Sequence, residues 1–389
     1  MIKIRSYTDD TGVKSLEIKF SHKLKIQTPT RAINSSEIAK IKAVRNLSTE
    51  PISPFEAAEE EFPWKIYEIP KEFSSDVIKK LRETGKGLEN KRSQINREIN
   101  QLVGVSQADE LFKILYIKRE SKHQVFNESD LLMMAEIQHR AKVDAIVVPE
   151  SKVGMNPEAF EKELKMVDKF LERLGNEKIV IPLIYPDKEL AKPIEFQQKL
   201  NTLLDLGYRV IGIQTHTFSL NPNLYLLREF SKKNPEIWIH NFGTWKHARG
   251  GYAYLPHIAT VFGIDSVGIL SRPFIPSNPS EDSDSKKEKQ QISSKLLVYN
   301  PEDWGIYPEK VIQKMPTSRW PYFKKSLMEV KEDSDKAKVY AVHEAYSAQL
   351  EMADSAKAIK KGEFRELLFE KGQVKKELVN KFGLLIYTR

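Results

Sequence analysis

Several apolar runs in this sequence hand over to side chains that can move protons or read hydrogen bonds. They end at Glu150-Ser151, Tyr185-Pro186-Asp187, Gln214-Thr215-His216, His240-Asn241 and Asp265-Ser266, with Arg272 just beyond. A carboxylate, an amide and imidazoles around one opening can read the hydrogen-bonding edges of a heterocycle, with Tyr185, Phe218 and Phe242 stacking on its face. The plainer alternative is that any barrel begins its loops with polar residues. His216, His240 and Glu150 also make an N/O ligand set for a metal, although no HxH or HExxH spacing reinforces it. Near Trp245, the run Lys246, His247, Arg249, Gly250, Gly251 is a basic, glycine-containing loop. Such a turn can present backbone N–H groups to a phosphate, or it is an ordinary flexible connection.

These residues need a scaffold that brings strand ends together. Apolar runs recur at Ile114–Ile117, Asp144–Pro149, Lys178–Tyr185, Arg209–Gln214, Glu236–His240 and Asp265–Leu270, the later ones starting about 30 residues apart, the length of one βα unit. Between them lie punctuated helices. Asn156-Pro157 caps and opens one whose Phe160, Leu164, Val167, Leu171 and Leu174 share a face, and Gly175 closes it. Pro193 opens another that stops at Gly207, and Asn221-Pro222 and Tyr254–Phe262 repeat the scheme. This period predicts a TIM-type (β/α)8 barrel with insertions and an N-terminal β-hairpin, built from Val13–Phe20 and Lys23–Thr28.

The chain of 389 residues reads as one barrel domain over 1–389. Residues 50–106 form a helical insertion with an acidic, Pro-broken start and a basic stretch, Lys79 to Arg97. Residues 275–300 are expected to be a mobile loop at the barrel mouth, and 335–389 are expected to be helices packed on the barrel, the first closing at Gly362. The formal charge is +8, from 62 Lys+Arg against 54 Asp+Glu, which suits an acidic partner such as nucleic acid. The absence of Cys excludes disulfides, a thiol nucleophile and Cys-ligated zinc or iron–sulfur centres. No run approaches a membrane span and the N-terminus lacks a signal-like apolar core, so a cytoplasmic protein without a membrane is expected. No cofactor is expected either.

In their order, four stretches resemble the tRNA-guanine transglycosylase superfamily, including enzymes that place 7-deazaguanine bases into DNA. They are Leu24 to Thr30; Asn127 to Asp130 with Ala135-Glu136-Ile137-Gln138 and Asp144 to Val147; Ile239 to Thr244 with Gly263-Ile264-Asp265-Ser266; and Val342-His343-Glu344 with Ala358 to Phe364. The resemblance implies a barrel that binds tRNA or DNA and recognises or exchanges a guanine-like base. It assigns catalysis to Asp265, Glu150 or Glu120, base binding to Tyr185, Gln214, His216, His240 and Asn241, and nucleic-acid contacts to Lys246, Arg249 and Arg272. The family's nucleophilic aspartate falls at Gly268, its second aspartate has no counterpart near Lys118-Arg119-Glu120-Ser121, and its three-Cys zinc site is missing. On an extended strand Asp265 faces away from Gly268, so it reaches the mouth only through a bulge.

Two other readings stay open. One is a catalytically degenerate relative serving as a binding or partner subunit, as a homo-oligomer or otherwise. The other is an unrelated barrel enzyme that uses Glu150, His216 and His240 on a small substrate.

Overall fold

The computed structural model describes residues 2–20, 24–45, 63–83, 87–101, 110–186, 191–216, 218, 221–246, 253–269, 297–312, 314, 330 and 332–382. It is a parallel α/β fold of the TIM-barrel type. Strands β1 (Lys3–Thr8), β2 (Lys14–Lys19) and β3 (Lys25–Gln27) make an antiparallel sheet at the N-terminus. The expected hairpin is its second half; β1 joins it as an extra edge strand.

The chain then enters the barrel. Strands β4 (Thr30–Arg31) and β5 (Ile33–Asn34) act as a single stave, which pairs on one side with β12 (Ser266–Ile269) and on the other with β6 (Ile66–Glu72). From β6 the ladder runs to β7 (Phe112–Lys118), and a second ladder runs through β8 (Ala145–Pro149), β9 (Ile179–Ile184), β10 (Val210–Gln214) and β11 (Trp238–Thr244) to β12. Every pairing in these ladders is parallel. Between β7 and β8 no ladder is formed, but the Asp144 N–H donates to the Lys113 carbonyl at 2.8 Å and the Lys113 N–H donates to Asp144 Oδ2 at 2.7 Å.

Contacts across the interior show that the strands curl around it. Phe112 on β7 meets Trp238 on β11 at 5.3 Å between ring centres, and Tyr116 stacks on Phe242 four residues further along both strands, at 5.6 Å. Those strands are far apart in the ladder, so only a common interior brings them together. Phe20, at the end of β2, lies 4.9 Å from Phe112 and plugs the N-terminal end.

The helices follow their sequence signals. Asn156 accepts the Ala159 N–H at 2.8 Å, Pro157 opens the Pro157–Arg173 helix, and Phe160, Leu164, Val167 and Leu171 are buried beneath it. Each such side chain contributes about 1.5–3 kcal/mol on leaving water. The stretch from Phe73 to Leu102 contains two helices, Ser75–Glu83 and Gly87–Asn100. The Asp333–Lys361 helix ends on Gly362 in the left-handed conformation and docks on the first stave, where Gln349 Oε1 accepts the Arg31 N–H at 3.0 Å. Among the described residues no helix is long and apolar enough to cross a membrane. The expected loop at 275–300 lies outside the described residues except from Leu297, where β13 (Leu297–Asn300) begins and pairs with β14 (Gly305–Pro308).

Candidate functional site

The middle layer of the interior is polar. His240, on β11, contacts Ser266 Oγ through Nδ1 at 2.8 Å and Glu68 Oε2 through Nε2 at 3.2 Å, and the Trp238 indole N–H donates to the same Ser266 oxygen at 2.7 Å. All four side chains are buried. Burial pushes the Glu68 carboxyl well above the usual carboxylate range, with the Glu37 charge adding to it, and pushes His240 down to about 3. Both shifts favour uncharged forms, which disfavours an ion pair at this contact. Room for it comes from glycines: a Cβ at Gly268 would collide with the Glu68 carboxyl, and one at Gly212 would meet Phe242 Cε2 at 2.8 Å.

Above this layer sit Tyr116 and Phe242, and above them the ends of β10 and β11. The β11–β12 register shifts between Asn241 and Thr244, and Gly243 there has φ 70° with the Tyr116 hydroxyl against it. No side chain fits that corner; a Cβ would lie 2.8 Å from the hydroxyl. The bulge aims the Gly243 carbonyl at His216, whose Nδ1 lies 2.7 Å from it. A carbonyl only accepts, so Nδ1 carries a proton and Nε2 is the ring nitrogen left to face a ligand. The imidazole stacks on Trp245 at 5.6 Å and 9° and is half-buried. Two residues earlier, Gln214 Oε1 is buried without a hydrogen-bond partner among the described residues. The end of β10 thus presents two unused acceptors beside aromatic surface.

Other residues expected at the mouth are placed elsewhere. Glu150 faces the helix layer, where Lys199 of the Pro193–Asp205 helix donates to Oε1 at 2.8 Å and the Gly154 N–H to Oε2 at 2.9 Å. Burial raises its pKa against these partners. Asp265 precedes β12 and so stands at the N-terminal end of the barrel. There it accepts the Ile239 N–H at 2.8 Å and pairs with buried Lys14 at 3.3 Å, and burial pushes its carboxyl up to about 6. Glu120 lies on the exterior, accepting the Ser75 N–H and hydroxyl at 3.0 Å, which hold its pKa below the usual value. Asn241 braces the loop after β10 by exchanging hydrogen bonds with the Thr215 backbone at 2.9 Å. Lys246 pairs with Glu344 at 2.5 Å. Arg249 and Arg272 lie outside the described residues. His216, His240 and Glu150 face three different environments and do not converge on a common point. Among the described residues there is no group of three His, Cys, Asp or Glu that could hold a metal ion.

Tyr185 does lie near the mouth, but its hydroxyl accepts from Arg119 Nε at 2.9 Å, and the same guanidinium also donates to the Gln124, Glu150 and Ser151 carbonyls. Arg119 therefore ties the ends of β7, β8 and β9 together. Sequence reasoning missed it, as it missed Glu68 and Tyr116, and it placed Ser266 at the mouth and not in the middle layer. The available signal for Glu68 was a lone acid inside the apolar run Trp64 to Ile69.

No family model matches the sequence, and no curated protein matches it. Among solved structures the chain is similar to a 2,3-dimethylmalate lyase of the PEP mutase/isocitrate lyase superfamily, at 9% identity over 68% of this chain and 79% of that one, with a TM-score of 0.36. It is similar to an oxaloacetate acetylhydrolase in complex with oxalate, at 11% identity over 66% and 86% with a TM-score of 0.36. A third is the chitinase ICChI from Ipomoea carnea, at 9% over 62% and 94%, TM-score 0.34. At these values the likeness carries nothing about chemistry. The transglycosylase resemblance does not hold: the nucleophile position Gly268 is filled by the Glu68 carboxyl, and Asp265 is at the far end of the barrel, committed to the Ile239 N–H and Lys14. With it fall the transferase activity, the tRNA-processing role, the guanine or 7-deazaguanine base and the nucleic-acid binding that it implied.

Proposed function

We propose that the chain is a barrel enzyme that binds a small substrate at the C-terminal mouth and moves a proton through His216. This is the small-substrate alternative read from the sequence, retaining His216 and replacing Glu150 and His240 by Gln214. One observation carries it: beside the orphan Gln214 oxygen, His216 has its tautomer fixed by Gly243, leaving Nε2 as a base. An imidazole whose Nδ1–H is committed to a carbonyl offers Nε2 for proton exchange with a ligand, and a buried acceptor without a donor is arranged to receive a hydrogen bond from one. Both groups are acceptors, so the substrate brings hydroxyl or amino donors; Trp245 supplies flat apolar surface to set its plane.

Ligand-observed NMR against small hydroxylated and amino compounds tests the proposal, using the natural protein, Gln214→Met and His216→Ala. Compounds whose binding is lost in both variants are expected. Hits indifferent to both variants, or a nitrogen-15 spectrum placing the proton on His216 Nε2, would overturn it.

A further inference from the structure

A cleft of about 540 Å3 lies at the opposite end of the barrel, between the N-terminal antiparallel sheet and the Asp333–Lys361 helix. We infer that it is a second site, which takes a small multiply charged anion bearing phosphoryl or carboxylate groups. Lys19 and Lys25 are direct cross-strand partners in the β2–β3 ladder, with Glu17 opposite Gln27 two residues along. Alternation turns Ile18 and Ile26 into the core and leaves these four side chains on the other face. Like charges set directly opposite on one face repel each other, so the strand pair carries a cost that a bound anion would remove. Neither lysine has an ion-pair partner among the described residues. The neighbouring carboxylate, Glu17, is in salt-bridge contact with Lys360, which holds it below the usual carboxylate range, and it acts on Lys19 only through the weaker field of a nearby charge.

Lys65, which also pairs with Glu110 at 3.5 Å, stands on the same wall, and Gln27 and Gln349 add amides. The volume is that of a metabolite-sized ligand and exceeds what a single inorganic ion fills. Lysines act as point charges, so the site selects charge and size more than shape. It shares no residue with the mouth, and it stands or falls independently of the function proposed there.

Calorimetric titration with pyrophosphate and with citrate tests this, on the natural protein, on the exposed-site double variant Lys19→Gln/Lys25→Gln, and on His216→Ala. We expect millimolar or tighter binding of at least one probe at low salt, weakened by added salt, reduced about tenfold or more in the double variant and unchanged in His216→Ala. Pyrophosphate alone binding identifies a phosphoryl ligand, and citrate alone a carboxylate ligand. No binding of either probe at low salt, or binding that the double variant leaves intact, would overturn the site. A melting curve of the double variant matching that of the natural protein ensures that lost binding is not lost folding.

Discussion

Glu68 and Gly268 share a single volume inside the barrel: the carboxyl of one occupies the place where a side chain of the other would begin. The middle layer is therefore specified by a pair, a buried acid on β6 and an absent side chain on β12.

Gly268→Ala should destabilise the protein by about 1–3 kcal/mol, because the packed interior yields poorly to added atoms. Glu68→Ala alone should also cost stability, by opening a cavity and leaving His240 Nε2 without its partner. Combining the two should cost less than the sum, and urea denaturation of the four proteins measures that coupling. Additive losses would show that the two positions do not compete.

Acid should unfold the protein through its buried histidines. Burial lowers His240 to about 3 and His343 to about 4, and it lowers His257 as well. A base with a depressed folded pKa gives stability that is present above the unfolded value near 6.5 and is lost as pH falls toward the folded one. Each such group adds a slope of at most about 1.4 kcal/mol per pH unit across that window. Denaturant melts between pH 7 and 4 should show His343→Gln with a shallower decline than the natural protein. Equal slopes would mean that the imidazole is already charged in the fold.

Lys199→Ala should be severe, at about 3–5 kcal/mol, since it strands a buried carboxylate at Glu150. The double variant Lys199→Met/Glu150→Leu should recover much of that loss. Thermal melts decide between this and a role for Glu150 in substrate binding, for which the double variant would fold well yet lose ligand.

Gln214→Met should raise stability slightly, by up to about 1 kcal/mol, since an orphan buried carbonyl oxygen is removed while the volume is kept. A stabilising change that abolishes ligand binding is the signature of a group kept for function. If Gln214→Met destabilises instead, the amide is structural.

The sequence made the helix layer and the parallel strands from β7 to β12 legible because Pro and Gly mark helix starts and stops without reference to the rest of the fold. Asn156-Pro157, Gly175 and Gly207 behave as read. Strand β6 escaped notice since Pro70, Lys71 and Glu68 break its apolar pattern; its interior faces a polar layer, and that layer is set by residues far away in sequence. The run at Glu236–His240 continues to Thr244, past the point where Gly243 disrupts alternation. Gln214 and His216 were legible as the end of a strand because a polar pair closing a buried strand is visible locally. Glu150 was placed at the mouth by the same logic, yet one residue beyond its strand the side chain turned to Lys199, a partner 49 residues on. Asp265 was assigned to the wrong end because a strand start and a strand end look alike in a short apolar run.

The first barrel stave, Thr30 to Asn34, pairs with β12 through Thr30–Ser266 and Arg31–Val267. On a ribosome that stave emerges early and then waits for more than 230 further residues before its neighbour exists. Until then its edge is an unpaired template for any passing strand. Such distant pairing slows folding, since chain closure must be met before any contact rewards it. Nascent chains truncated just before Ser266 should aggregate or recruit chaperones, whereas chains reaching past Ile269 gain the surface that shields the stave.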